Sequence, residues 1–378
     1  MAASFFMPTR ILAGNGCVVS NAPLLAPLGR HALIVTGGAS ARMCGALRDI
    51  ETALSAQGIL FTLFDGIEPN PCIETIRDAA RTGRSCGADF VIGIGGGSPL
   101  DAAKAAAVLM TDDCDDDALF CGKYPDTTLP IVCVPTTAGT GSEVTPYAVL
   151  IDRRTRTKRS MGGTPLFPRL AFLDAAYLRT LPWDTTVNTA VDALSHALEG
   201  YLANRGTPLS EPHAILGMRA MTGVLRELAR LRALGCAPAE VPSSVREASL
   251  LGSMHAGITI AQTGTTLLHS MGYCLTLARN LDHGLANGLL MPAYLDAIAQ
   301  KAPDRIREVM AYLGFETREA CNQFLRSLFG ATERMPRQET AAYARDTVGA
   351  KNAANTPVPF SEAELADLFD KTRVPAAR

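Results

Sequence analysis

The chain has 378 residues, room for about two domains at roughly 150 residues each. Hydrophobic residues make up 47% and charged residues 19%, which is enough apolar mass for a sizeable core and excludes a disordered chain. With 35 Lys plus Arg against 37 Asp plus Glu, the net charge of -2 excludes the basic excess of a nucleic-acid binder or a polybasic membrane binder.

The N-terminus has no basic stretch followed by a long apolar one, and no apolar run reaches the ~20 residues of a membrane span. No leader and no membrane partner are therefore expected. Ten cysteines are scattered along the chain without a C-x-x-C pair, a pattern of reduced thiols in a cytoplasmic protein.

His31 to Thr36 is a short apolar run ending in Gly37-Gly38. Ala41 to Gln57 has the period of an amphipathic helix, and Ile59 to Phe64 is a second apolar run. The turn Glu68-Pro69-Asn70-Pro71 leads into a helix pattern reaching about Arg84. Asp89 to Ile94 then reads as a strand, Pro99 to Met110 as a helix and Pro130 to Pro135 as a strand. Strand–helix alternation at this spacing predicts a parallel sheet covered on both faces. The acidic run Thr111 to Asp117 lacks the glycine and terminal glutamate of a calcium loop and reads as a solvated loop. Past Leu181-Pro182-Trp183 helix patterns dominate, as in Thr185 to Leu202, Glu211 to Leu234, Val245 to Met254, Asn287 to Lys301 and Ser361 to Lys371. The expected organisation is an α/β domain over residues 1–180 and an all-helical domain over 181–378.

Two glycine-rich loops follow strand ends. In Gly95-Gly96-Gly97-Ser98-Pro99-Leu100-Asp101, Ser98 suits an N-cap, Pro99 the first helical position and Asp101 the end of a capping box. Free N–H groups at such a helix start attract a phosphate, with a tight turn and a capped helix as the lesser alternative. Pro135-Thr136-Thr137-Ala138-Gly139-Thr140-Gly141-Ser142-Glu143 offers small donors after the next strand. Two such loops at neighbouring strand ends point to a nucleotide crevice.

Histidine is scarce, with six in the chain. Asp192 and His196 stand one helical turn apart on one face, which suits a shared metal ion or, more simply, a helix-surface hydrogen bond. His269 and His283 follow. Three imidazoles and one carboxylate suit iron(II) or zinc rather than magnesium or calcium. His31, His213 and His255 have no such company and read as ordinary surface or core residues.

In order, Pro8-Thr9-Arg10-Ile11 with Gly14, Gly95-Gly96-Gly97-Ser98 with Asp101 and Lys104, the Pro135 to Glu143 segment, Asp192-Ala193-Leu194-Ser195-His196, and His269 with His283 resemble the iron-containing (group III) alcohol dehydrogenase family. The resemblance runs to about Leu295 and is less distinctive beyond. It implies an N-terminal α/β dinucleotide-binding domain, a C-terminal helical metal-binding domain of dehydroquinate synthase-like architecture, and an active site in the cleft between them. Asp192, His196, His269 and His283 would be the metal ligands. Gly97, Ser98 and Asp101, with Gly95 and Gly96, would face the pyrophosphate and nicotinamide. Thr136, Thr137, Thr140 and Val149 would lie further along the cofactor, with Lys158 near the ribose and Asn70 another cofactor-side position. Many members carry a histidine where Tyr273 stands, so Tyr273 is the candidate proton donor here beside metal-bound water. Ile260, Tyr273 and the Thr145 to Val149 stretch are expected pocket walls.

The implied activity is reversible hydride transfer between NAD(P)(H) and a small alcohol or aldehyde, in a homodimer or larger homo-oligomer with Phe5 to Val19 in the contact. A zinc polyol dehydrogenase or a dehydroquinate synthase-type cyclase is the alternative within the superfamily, and an inactive nucleotide-binding protein the alternative outside it. A cyclase needs cations for a phosphorylated acid, and Arg279 is the one near His269 to Gly284. NAD-preferring relatives place an aspartate where Gly37 stands. Gly37, Gly38 and Ser40 leave room and donors for a 2′-phosphate instead, so NADP(H) is expected to be favoured over NAD(H).

Overall fold

The computed structural model describes residues 3–155 and 157–375. They form two compact units. One comprises Met7–Pro182 together with Ala237–Leu250, the other Met1–Phe6, Trp183–Cys236 and Leu251–Arg378. The chain passes from the first unit to the second after Pro182. The Ala237–Leu250 segment, expected within the helical half, groups with the α/β unit. Its Arg246 donates to the carbonyls of Pro238 and Ala239 (3.2 and 2.9 Å), folding the segment on itself.

The α/β unit is built on six strands: β1 Arg10–Ala13, β2 His31–Thr36, β3 Leu60–Phe64, β4 Phe90–Gly95, β5 Ile131–Pro135 and, after the hairpin strands β6 Tyr147–Asp152 and β7 Thr157–Gly162, β8 Leu170–Leu173. Their order is β1-β8-β5-β4-β2-β3, every pairing parallel. Strands β4 and β5 are buried along their whole length and β2 along all but His31, because both sheet faces are covered. Leu33, Val35 and Val91 pack with helices Ile73–Cys86 and Gly97–Leu109 on one face, where Ala148, Leu150 and Met161 of the hairpin join them. Ala32, Ile34, Ile92 and Ile94 pack with helix Ala46–Ala56 on the other.

One expected helix is interrupted. Residues 41–57 form Ser40–Met43 and Ala46–Ala56, parted at Gly45, whose φ of 92° is cheap only for glycine. The topology also fixes where a ligand fits. From β2 the chain adds β3 on one side, then returns to place β4 on the other. The order reverses between β2 and β4, so their carboxyl ends, at Gly37 and Gly95, open the crevice where such sheets take ligands.

The helical unit centres on Trp183–Leu202, whose residues from Val187 onward are nearly all buried, as in a helix apolar on every side. Glu211–Ala233 and His283–Lys301 pack on it. A Cβ on Gly284 would overlap the Asn188 carbonyl oxygen, so a glycine there lets the His283–Lys301 helix begin against the central one. The unit is not helical throughout: Glu333–Arg334 and Arg373–Val374 form a short antiparallel pair. No helix among the described residues is long and apolar enough to cross a membrane.

Candidate functional site

At the end of β4 the chain turns through Gly95, at φ 151°, and the helix Gly97–Leu109 begins on Gly96. A Cβ on Gly97 would stand 2.7 Å from Thr140 Cγ2, so the absence of a side chain lets the Thr136–Thr140 loop close over the helix start. Thr136 N–H donates to Gly95 O (2.8 Å), tying the two loops together. Asn70, at φ 54°, gives its N–H to Ser98 Oγ (3.1 Å). Gly37 forms an isolated bridge with Gly66, and Ser40 donates to Gly37 O (3.3 Å).

The expected capping box does not form. Ser98 lies inside the helix and no side chain caps its start. Asp101 instead accepts from Ser142 Oγ (2.6 Å) and Val149 N–H (2.8 Å), partners far away in sequence. Lys158, paired across the hairpin with Ile151, lies within electrostatic reach of Asp101.

Beneath these loops Lys104 is fully buried. Its ammonium donates to Ser142 Oγ (2.7 Å), Thr145 Oγ1 (3.3 Å) and Tyr147 O (2.7 Å), with Asp101 Oδ1 at 3.9 Å. Burial pushes the Lys104 ammonium down and the Asp101 carboxyl up, and each offsets the other in part. Glu143 is also buried, and its Oε1 has no hydrogen-bond partner among the described residues.

Burial pushes the Glu143 carboxyl from 4.5 to about 7, against weaker opposition from its own backbone N–H and Lys104. A carboxyl raised in the fold loses stability as pH rises through the window between these values, because the unfolded chain ionises first. Glu143→Gln is therefore expected to be more stable than the parent at about pH 8 by on the order of 3 kcal/mol. The gap should shrink toward zero near pH 4. Denaturant unfolding of both proteins across that range checks it, and a gap independent of pH would contradict it.

In the helical unit, ligand atoms of Asp192, His196 and His269 lie within 4.8 Å of one another, all buried. His283 joins them, its Nε2 3.9 Å from Asp192 Oδ1, the same separation as His269 Nε2. The His196 and His269 rings stack at 4.6 Å, and His283 meets His269 edge-on at 5.0 Å. Burial pushes the Asp192 carboxyl up, but His196, His283 and His269, with the Asn287 amide, outweigh it and hold the carboxyl below its ordinary range. Three imidazoles and a carboxylate converging from three helices are a donor set that fits iron(II) or zinc.

Tyr273, one turn after His269, stacks on the His283 ring at 5.0 Å and 16°. His213 and His255 contact each other through Nδ1 (3.0 Å), and His31 meets Thr62 Oγ1 (3.0 Å). Arg279 is held by Glu339 (2.7 Å), so the cation a cyclase would need is engaged elsewhere. Two residues here went unnoticed in the sequence. Asn287 Nδ2 lies 3.1 Å from Asp192 Oδ1, 3.4 Å from His269 Nε2 and 3.3 Å from His283 Nε2. Glu199 Oε2 is in hydrogen-bond contact with His269 Nδ1. The spacing Asp192, His196, Glu199, at i, i+4 and i+7 on one helix face, is the signal that would have found it.

Comparison with known proteins matches residues 8–175 to the iron-containing alcohol dehydrogenase model and residues 186–372 to the C-terminal model of the same family. The chain belongs to the iron-containing alcohol dehydrogenase family. Membership makes it an NAD(P)-linked, metal-dependent oxidoreductase. It is similar to the probable alcohol dehydrogenase EutG of Escherichia coli, 34% identical over 311 residues, 81% of this chain and 76% of that one. It is likewise similar to the lactaldehyde reductase of the same organism, 31% identical over 288 residues, 75% of this chain and 72% of that one. A crystal structure of an iron-containing alcohol dehydrogenase from Thermotoga maritima superposes with a TM-score of 0.86 at 35% identity, covering 97% of this chain and 98% of that one.

Proposed function

We propose that the chain interconverts small aldehydes and alcohols with a nicotinamide cofactor, and that Asp192, His196, His269 and His283 hold a divalent iron or, in its place, zinc. The observation that carries this reading is the buried convergence of those four side chains in a member of this family. A metal held there supplies a Lewis acid toward the substrate oxygen.

The chain's own residues position and exclude. N–H groups at the start of Gly97–Leu109, with Ser98, Thr137 and Thr140 around them, are donors for a pyrophosphate. Asp101 holds Val149 and Ser142 in place rather than capping the helix. A nicotinamide bound there would supply or take up the hydride, and the protein would supply its orientation. Tyr273 shares a helix face with His269 and carries a phenol that moves the proton. Tyr273→Phe keeps the ring stacked on His283 and is expected to lower kcat by about 10²-fold, at the lower end for a general acid, with metal content unchanged. An unchanged kcat would remove the phenol from the proton path.

The reading as a whole is tested by metal analysis of iron-reconstituted protein and NAD(P)H consumption across aldehydes, ketones and oxo acids. Neither bound metal nor turnover would leave a nucleotide-binding protein as the better account.

NADP(H) is the favoured cofactor, because no carboxylate follows β2 and Ser40 is exposed beside Gly37 and Gly38. Arg42 is exposed too, at 3.6 Å from Asp65. The direct test, an aspartate at Gly37, is poorly suited: its Cβ would overlap the Ile67 carbonyl oxygen. Gly38 has open space around it and a φ of 56°, which aspartate tolerates. Gly38→Asp is expected to shift the ratio of kcat/KM for NADPH over NADH at least about tenfold toward NADH, a like-charge penalty of about 1.4 kcal/mol. An unchanged ratio would show that this loop does not select the cofactor.

The protein is further assigned a cytoplasmic location, on ten cysteines that are all free, and a homodimeric or larger assembly. Phe6 and Val19, 51% and 45% exposed, are the apolar surface that the N-terminal segment offers to such a contact. A monomer by light scattering at micromolar concentration would contradict the assembly.

A further inference from the structure

We propose that Glu199 is a positioning residue for His269: its carboxylate holds the imidazole proton on Nδ1 and so keeps the Nε2 lone pair available for a metal. The proposal rests on the metal reading above and deepens it.

Glu199 is fully buried, and no lysine or arginine among the described residues pairs with it. A buried carboxylate without a cation is costly unless its lone pairs are filled. Its two oxygens divide that task. Oε1 accepts three bonds, from Thr266 N–H (2.8 Å), Thr266 O–H (2.6 Å) and His269 N–H (3.2 Å), at the start of the Leu267–Arg279 helix. Oε2 faces His269 Nδ1. Oε1 alone is sufficient as the helix cap, so capping does not account for Oε2.

A carboxylate oxygen only accepts, so the imidazole must donate from Nδ1. The opposite nitrogen, Nε2, then carries a lone pair, and it faces Asp192 Oδ1 at 3.9 Å, too far for a hydrogen bond between them. A carboxylate behind a metal-ligating imidazole fixes its tautomer, its ring orientation and its basicity. Here one helix does both jobs. Asp192 and His196 face the site directly, and Glu199, further along the same face, sets the third ligand from behind.

Glu199→Gln separates this role from the cap. The amide oxygen can still receive Thr266 N–H, Thr266 O–H and His269 N–H, while its NH2 group turns to Nδ1. The imidazole then has to accept at Nδ1 and carry its proton on Nε2, where it blocks the lone pair. Metal-free full-length protein titrated with Co(II), followed by visible absorption and by chelator competition, is expected to show binding weakened about 10–100-fold in Glu199→Gln, with little change in Tm. Thr266→Val, which removes one cap bond and leaves the tautomer alone, should lower Tm and leave Co(II) affinity near that of the parent.

Parental affinity in Glu199→Gln, or an equal loss in Thr266→Val, would overturn the proposal. His196→Ala run in parallel tells the two readings apart. If it binds Co(II) like the parent, the metal site itself is misassigned; if it loses Co(II) while Glu199→Gln does not, only the role of Glu199 falls. Should Glu199→Gln not fold, the Zn(II)-loaded parent still decides. Histidine-selective 15N NMR should show a slowly exchanging Nδ1–H on His269, and a rapidly exchanging one would refute the contact.

Discussion

Alanine at His196 or at His283 is expected to strip the metal from the protein and cut kcat by on the order of 10³-fold. A Lewis acid is worth several kcal/mol in the transition state, and each 1.4 kcal/mol is about a factor of ten. The two variants should differ in stability. His196 is buried and stacked on His269, so its removal also leaves a void, whereas the His283 side chain is 24% exposed. NAD(P)H binding is the control for folding, since the glycine-rich loops and the four donors belong to different compact units. Retained nucleotide binding with lost metal and lost turnover supports the ligand assignment. Full metal occupancy in either variant refutes it.

The second large effect falls on stability rather than chemistry. Lys104→Met keeps the aliphatic length and removes the charge, leaving Tyr147 O without its Lys104 donor and the largely buried Asp101 carboxyl without the nearer of its two cations. Breaking one side of a buried pair costs about 3–5 kcal/mol, mostly through the partner left behind. Denaturant unfolding should show that loss. A cost below about 1 kcal/mol would mean that Lys104 is already neutral in the fold. Combining Lys104→Met with Asp101→Asn should recover part of the loss, as expected for two residues that share one network.

Legibility of the fold followed burial. Strands β2, β4 and β5 stand out as continuous apolar runs because both sheet faces are covered. β1 and β8 are four residues each, too short for any period to emerge, and no expectation covered them. In the hairpin, Tyr147–Asp152 does alternate between half-buried and buried, but its partner Thr157–Gly162 is largely polar and gives no such pattern. The break at Gly45 depends on a local left-handed turn that an otherwise helical period conceals.

The sites show the same division. The pair Asp192 and His196 is local, so one helical turn exposes it, and the glycine loops are local too. Asp101 was misread because its three-residue spacing from Ser98 imitates a cap, while its true partners, Ser142 and Val149, are brought in by the fold. Asn287 contacts three of the four donors through packing between helices, which spacing alone does not show.

That all four donors come from a single compact unit bears on how the protein matures. Residues 192–283 carry the whole set, and every donor lies within the helical unit. No residue of the glycine-rich loops is among those donors, so the set is complete within one unit. The donors also leave the ribosome after the sheet strands, so the α/β unit has its whole sequence, Ala237–Leu250 included, before His269 and His283 emerge. The order of synthesis thus puts the glycine-rich loops ahead of the complete set of three imidazoles and one carboxylate.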